Sequence, residues 1–448
     1  MTSEPESQGN KSDLFKVRTI TAFVTFEDSD FENDGKTLKS KIKDTAEALQ
    51  TIKGQLESGG SDEQNVGYEV QTVRIATNPF PEYLLGSTAG DIDVEIFQKR
   101  LALMDECLGQ HEIAFVSLGP AHCTETTQLC TQIVSTPSGR FSCSVQLQAN
   151  DTHLAKVAAQ TVIDNSKLGN PEDGGLANFR FCVANLGPYV PFFPAAKGVT
   201  EPNDKCFKIR FAIGLENGAL LKDLLTHDAD QTVAKILPPK QVERSGSSFA
   251  EGLADVVLPL QMICQTAVSN WDVSTSPPLE YLGLDASFNP SLDDEGSVAS
   301  AVEVLKEVPM GFGGAGTIAA TAAMTTAIQT RLTSKQDQQD ILLTGYNGLM
   351  LPLCEDQRLA ELASNGKLRI TDLLNVSSVC GVGIDTVPIP GDASVDELTA
   401  LYLDVAGLAE RWNKPLSCRV FPVPNKTVGD MTTFDSPFLV NSKVLPIS

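Results

Sequence analysis

The chain has 448 residues, 42% of them hydrophobic and 20% charged, which suffices for a large packed core of ordinary globular composition. Fifty-seven acidic side chains against 34 basic ones give a formal net charge of -23, which argues against nucleic acid and anionic membrane as partners. Ten cysteines at irregular spacings, with no C-x-x-C pair and no histidine cluster beside them, point away from a zinc centre or a disulfide scaffold and toward the reducing cytoplasm.

Residues 1–14 are polar and acidic, read as a disordered tail, and show no targeting pattern. Strand patterns follow at 17–25, 69–76, 113–118, 141–147, 179–185, 207–213, 281–287, 348–353, 379–387 and 417–423. Helical periodicity fills the gaps at 37–56, 151–167, 247–271, 294–308, 317–332 and 395–412. In the first helix Leu38, Ile42, Leu49, Ile52 and Leu56 fall largely on one face. Asp293 or Asp294, and Ser394, are natural N-caps, and Asn365-Gly366 reads as a helix stop. The apolar run 253–271 contains Asp255, Pro259, Gln261 and Gln265, so it reads as a buried or amphipathic helix rather than a membrane span. The proline- and aromatic-rich stretch 187–194 reads either as a packed rigid loop or as a lid over a pocket.

Repeated strand–helix alternation predicts an α/β protein with parallel strands joined by crossover helices. About ten strands suit a large α/β barrel or a long doubly wound sheet, with 15–448 as a single domain.

Gly311-Phe-Gly-Gly-Ala-Gly316 matches G-x-G-x-x-G, but a helix pattern precedes it and no ribose-binding acid follows, so it is no dinucleotide fingerprint. Gly314, Gly316 and Thr317 then either offer N–H groups to a carboxylate or phosphate, or allow close helix packing. Cys380 is either a nucleophile or a small buried hydrophobe. Asp285 and Asp385 interrupt apolar strands, as do Arg18 and Arg74, and a charge in such a place needs a partner or a function. The two acids are either an acid–base pair or structural ion-pair members, with the two arginines as the expected cations. Two arginines and two acids aimed into one cavity would suit a small anionic ligand, carboxylated or phosphorylated. His122 reads as a surface or capping residue, and no Ser-His-Asp arrangement is visible.

Several segments, in order along nearly the whole chain, resemble one uncharacterised family, catalogued as domain of unknown function 711. They are Arg18-Thr-Ile-Thr21, Arg74-Ile-Ala-Thr-Asn-Pro79, Phe115-Val-Ser-Leu-Gly119, the strand around Cys143, Leu284-Asp285 through Pro290, the Gly316-Thr317 helix start, Val379-Cys-Gly-Val-Gly-Ile-Asp385 with Ile389-Pro390, and Gly429-Asp-Met431. The resemblance implies a ten-stranded α/β barrel of the pyruvate formate-lyase and anaerobic ribonucleotide reductase type. The chain departs from the family pattern at 192–198, at Gly314-Ala-Gly316 and at Phe434-Asp-Ser-Pro437, where relatives often carry His-Gly, Thr-His-Gly and Gly-Gly. It therefore has no evident radical glycine and lacks those histidines as metal ligands.

The resulting expectation is an enzyme without cofactor or metal, acting on a small anionic metabolite by acid–base or thiol chemistry. Arg18 and Arg74 would bind the anion, and Asp285, Asp385 and Cys380 would carry the chemistry. The alternatives are a non-catalytic ligand sensor on the same fold and, third, a glycyl-radical lyase or oxidoreductase. Homo-oligomerisation is left open.

Overall fold

The computed structural model describes residues 11–60, 67–86, 92–169, 175–185, 187, 189–200, 206–226, 232–237, 247–332 and 341–447. Residues 1–10 of the expected tail lie outside these, and Lys11–Leu14 form a 3-10 turn rather than disordered chain.

Nine strands form one mixed sheet: β1 (Lys16–Val24), β2 (Val73–Thr77), β3 (Phe115–Ala121), β4 (Phe141–Gln146), β5 (Phe181–Asn185), β6 (Ile209–Glu216), β7 (Leu279–Asp285), β8 (Gly383–Pro390) and β9 (Leu416–Val423). Their spatial order is β7-β6-β1-β2-β3-β4-β5-β9-β8. β1 to β5 run parallel to one another. β6 is antiparallel to β1 and parallel to β7, and β9 is antiparallel to β5 and parallel to β8.

The tenth expected strand, over 348–353, is not a strand. Its bonding is split between the two sheet edges. On the β7 side Leu284 N–H donates to Leu342 O (2.9 Å), Phe288 N–H to Gly348 O (2.9 Å) and Met350 N–H to Phe288 O (2.8 Å). On the β8 side Leu353 N–H donates to Asp385 O (2.9 Å) and Cys354 N–H to the Thr386 hydroxyl (3.2 Å). Pro352, which has no N–H, sits at the isolated bridge to Asp385 and keeps a ladder from extending there. β8 also starts later than expected, because Ser377 to Val382 form a turn after the helix Ile370–Ser377.

Side-chain alternation sorts the sheet into two faces. Ile20, Ala22 and Val24 of β1, Ile75 of β2, Val116 and Leu118 of β3 and Phe141, Cys143 and Val145 of β4 join the large core under the helices. Helix Lys36–Glu57 contributes Leu38, Ile42, Leu49, Ile52 and Leu56, the stripe expected from its periodicity. Among the described residues one helix, Ser248–Ser269, is long and apolar enough to cross a membrane. Its Phe249, Leu253, Val257, Leu260 and Cys264 are buried in the same core. Ser394 caps Val395–Trp412 in a capping box with Glu397, as expected, and Gly366 (φ +69°) follows the C-cap Asn365. The cap expected at Asp293 or Asp294 is supplied by Ser297, which accepts from Ser300 N–H. The helix begins only at Val298, after a turn in which Asp293 holds Gly296.

The other face carries small residues, Thr21, Ala76, Ser117, Ala212 and Gly214, and the space they leave is filled by the segment 189–199. Thr21 donates its hydroxyl to Pro191 O (2.8 Å), and the Ser117 hydroxyl lies 2.6 Å from Ala196 O and 3.1 Å from Pro194 O. Gly214 has no room for a side chain, since a Cβ there would lie 2.5 Å from the Phe192 ring.

Candidate functional site

Where that segment stops short of the sheet end, a cavity of about 780 Å³ opens. Arg18 and Arg74 at the starts of β1 and β2, Phe115 and Ser142 on β3 and β4, and Arg180 just before β5 line one side. Glu216 at the end of β6, Glu355, Asp385 of β8 and Arg419 of β9 line the other. Phe192, Phe193, Pro194 and Ala195 form its floor, and Ser436, Pro437 and Phe438 reach its rim.

The carboxylates are all engaged. Arg419 binds Asp385 in a two-point fork, Nε to Oδ1 at 2.5 Å and Nη2 to Oδ2 at 3.0 Å. The same Nη2 donates to Glu355 Oε1 at 2.7 Å, Nη1 donates to Phe179 O at 3.2 Å, and the guanidinium stacks over the Phe179 ring. Glu355 reaches on to Arg18 at 3.6 Å, and Arg18 donates to Glu216 in turn. Gln71 closes the chain on Glu216 at 2.9 Å. Arg140 also lines the cavity, but it is bound to Asp105 and Ile113 O.

Two guanidinium groups stand outside this network. Among the described residues Arg74 donates only Nε, to the Thr72 hydroxyl at 2.9 Å, and its guanidinium lies 5.3 and 5.1 Å from the centres of the Phe115 and Phe193 rings. Burial, with Arg18 and Arg419 nearby, presses its pKa down to about 9. The Arg180 Nη1 is buried and has no acceptor among the described residues, and burial lowers that pKa too. Among the described residues five arginines therefore meet three carboxylates in the cavity wall. Such excess, unpaired positive charge out of bulk water is what a carboxylate or phosphate relieves. Burial raises the pKa of Glu355, against the pull of Arg419 and Arg18, so the site favours its protonated form more than water does.

The structure brings Arg18, Arg74 and Asp385 together, as expected, but sets the remaining candidates elsewhere. Asp285 does not line the cavity. It takes N–H groups from Ser287 (3.0 Å), Tyr346 (2.7 Å) and Asn347 (3.0 Å), and the Ser287 hydroxyl at 2.5 Å. It pins the 345–347 turn to the end of β7, a structural role met by backbone donors instead of an arginine. Gly345 lets the turn approach, because a Cβ there would lie 2.2 Å from Asp285 Oδ2. Cys380 is also outside the cavity wall. Its thiol donates to Leu349 O at 2.8 Å and accepts Leu349 N–H at 3.3 Å, and burial pushes its pKa up. Gly314, Gly316 and Thr317 form no ligand cradle there either. A Cβ on Gly316 (φ +98°) would lie 1.6 Å from Glu307 O, and Thr317 accepts Gly313 N–H at 3.1 Å, so close packing accounts for the glycines. His122 is exposed just past β3, in keeping with a surface histidine. Where it is described, the stretch 187–194 is the packed loop of the two alternatives, bonded to the sheet as the floor of the cavity rather than a lid over it.

Arg419, Glu355, Glu216 and Arg180 were not anticipated. Arg419 carries the same sign as Arg18 and Arg74, a cation inside the apolar run Leu416-Ser-Cys-Arg-Val-Phe421.

Comparison with known proteins places this geometry in a family. The profile described as "Uncharacterised ACR (DUF711)" matches residues 10–436. A UPF0210 protein of Clostridium perfringens is 24% identical over 441 residues, covering 95% of this chain and 89% of the relative. A UPF0210 protein of Oleidesulfovibrio alaskensis is 23% identical over 457 residues (98% and 91%), and one of Pyrobaculum arsenaticum is 24% identical over 437 (92% and 86%). With nearly its whole length matched, the chain belongs to the DUF711 family of uncharacterised proteins.

Proposed function

We propose that the cavity binds a small organic anion, a carboxylate or phosphate, with Arg74 and Arg180 as its receptors and Glu355 as the proton-transfer group of an acid–base enzyme. The observation that carries this reading is that both guanidinium groups line the cavity without a carboxylate partner among the described residues. The Phe115 and Phe193 rings beside Arg74 lower the local dielectric, which strengthens a charge-assisted bond to a ligand. Asp385 tunes the site through Arg419. Thiol chemistry is disfavoured, because Cys380 is outside the wall and burial raises the pKa of Cys182, which is in it, far above the usual thiol range. A non-catalytic sensor uses the same binding groups and differs only in the absence of turnover. A glycyl-radical enzyme ranks last, since Phe434-Asp-Ser-Pro437 supplies no glycine at the rim.

The same reading takes the fold as a closed barrel of the pyruvate formate-lyase type. Its support is the 342–353 segment, which bonds to β7 on one side and β8 on the other, across the two edges of the sheet. Counting that segment, five parallel strands face five of opposite direction. The acidic surface and the reducing-type cysteines favour a cytoplasmic protein working without nucleic acid or membrane.

The test is mass spectrometry of small molecules released when the purified protein is denatured, with thermal shift against sulfate, phosphate and simple carboxylates. The expected result is a stabilising anion whose effect disappears in the Arg74→Met, Arg180→Met double variant. No released anion and no stabilisation by any of the probes would falsify the reading.

A further inference from the structure

We infer that the ligand carries two anionic groups at its two ends, one for Arg74 and one for Arg180, joined by a short chain that lies across the starts of β3 and β4. The inference rests on the anion-binding reading above and narrows it to a substrate class, organic dianions such as dicarboxylates or phosphorylated carboxylic acids.

The argument begins with the sheet. Arg74 is on β2 and Arg180 immediately precedes β5, with β3 and β4 between them. Neighbouring strands lie about 4.8 Å apart, so the two backbone positions are separated by roughly 14 Å. One carboxylate is too small to meet both arginines from that distance unless their side chains converge fully. They converge in part. Arg74 leans over Phe115 of β3. Arg180 leans back toward the approach to β4, where Nη1 lies 3.7 Å from the Cβ position of Gly139. Each lean recovers up to one strand spacing, which leaves a gap on the order of 5–10 Å between the anions they would hold.

Electrostatics agrees that these are two receptors. Arg18 and Arg419 press on Arg74 beside its burial, while burial is what lowers the pKa of Arg180. Between them, Arg140 is consumed by Asp105 and Ile113 O, so it offers no central charge to gather both groups onto one anion. The wall in the gap consists of Phe115 and Ser142, whose hydroxyl is already turned to Val116 O at 3.4 Å. That wall suits a methylene chain or a lightly substituted carbon skeleton and does not suit a third charge.

Binding of linear dicarboxylates from malonate to sebacate, each beside the monocarboxylate of equal length, tests this by calorimetry. The expected result is an affinity optimum at intermediate chain length, absent from the monocarboxylates. Arg74→Met and Arg180→Met should each bring the best diacid down to its monoacid, a loss of roughly 10–100-fold for one charge-assisted contact. Because the length series needs only the unmodified protein, it decides the matter even where a variant fails to fold. Equal binding of diacids and monoacids at every length overturns the two-ended ligand while leaving the anion site standing. An optimum that survives replacement of Arg180 also overturns it. No binding by any acid overturns both readings together.

Discussion

Arg419 holds both oxygens of Asp385, Nε to Oδ1 at 2.5 Å and Nη2 to Oδ2 at 3.0 Å, and hands its remaining donors to Glu355 and the Phe179 carbonyl. A buried guanidinium with all its directions assigned is a positioning device. It fixes Glu355 against Arg18 and leaves Arg74 to face the cavity alone.

Asp385→Asn should therefore cost stability. It removes one charge from a buried fork and leaves Arg419 with Glu355 as its only carboxylate. The expected loss is roughly 2–4 kcal/mol, below the full penalty for a stranded buried charge because one partner remains. Urea unfolding measures it, and a loss under about 0.5 kcal/mol would place the pair with weak surface bridges instead.

Arg74→Met should behave in the opposite way. The pKa of Arg74 is pressed from its ordinary value in the unfolded chain down to about 9, so the folded state holds its proton less tightly than the unfolded chain. A base depressed in this way makes stability rise with pH between those two values and is a constant burden at neutral pH, where both states are protonated. Ligand-free Arg74→Met should thus melt at or above the wild-type temperature while losing stabilisation by added carboxylates. A ligand-free variant markedly less stable than wild type would show that Arg74 has a structural partner.

Glu355 gives a pH signature. Its pKa is raised in the folded state by burial, so it contributes stability that is fully present in acid and is lost as the pH rises through its folded-state value. Its protonation also removes one negative charge from the wall. Sulfate, whose own charge does not change above the ordinary carboxylate range, should bind more tightly as the pH is lowered toward that range. Glu355→Gln should flatten the profile near its acid limit. An unchanged slope in that variant assigns the titration to another group.

Gly214 reports on the cavity floor. A methyl group there meets the Phe192 ring at 2.5 Å, so Gly214→Ala should cost about 1–3 kcal/mol by overpacking. Shortening the obstacle in Gly214→Ala, Phe192→Leu should recover most of that loss. Additive destabilisation in the double variant would mean that the two residues do not meet.

Much of the sheet was legible because charges and glycines interrupt β-branched runs in a recognisable way. Arg18, Arg74 and Asp385 meet in one cavity because a charge on an apolar strand has only the unhelixed face to turn to. Arg419 obeys the same rule and was open to the same reading. Arg180 and Glu355 precede or follow strands, where a charge carries no such signal. Asp285 broke the rule, since beside Ser287 its donors come from a turn some sixty positions later, the Tyr346 and Asn347 N–H groups, and local sequence cannot show that. The missing strand has a similar cause. The 348–353 run has strand composition, but Pro352 and its division between two edges deny it a ladder.

The 189–199 segment turns its Pro191, Pro194 and Ala196 carbonyls to Thr21 and Ser117, so these three acceptors are spent on the sheet rather than offered to the cavity. What remains beneath a guest is rings and small apolar groups that register bulk but no polar pattern. Holding the chamber open and choosing its occupant are thus assigned to different residues. A lineage that replaced one rim arginine would change which molecules enter without disturbing the scaffold, and discrimination among guests of like charge would fall to length alone.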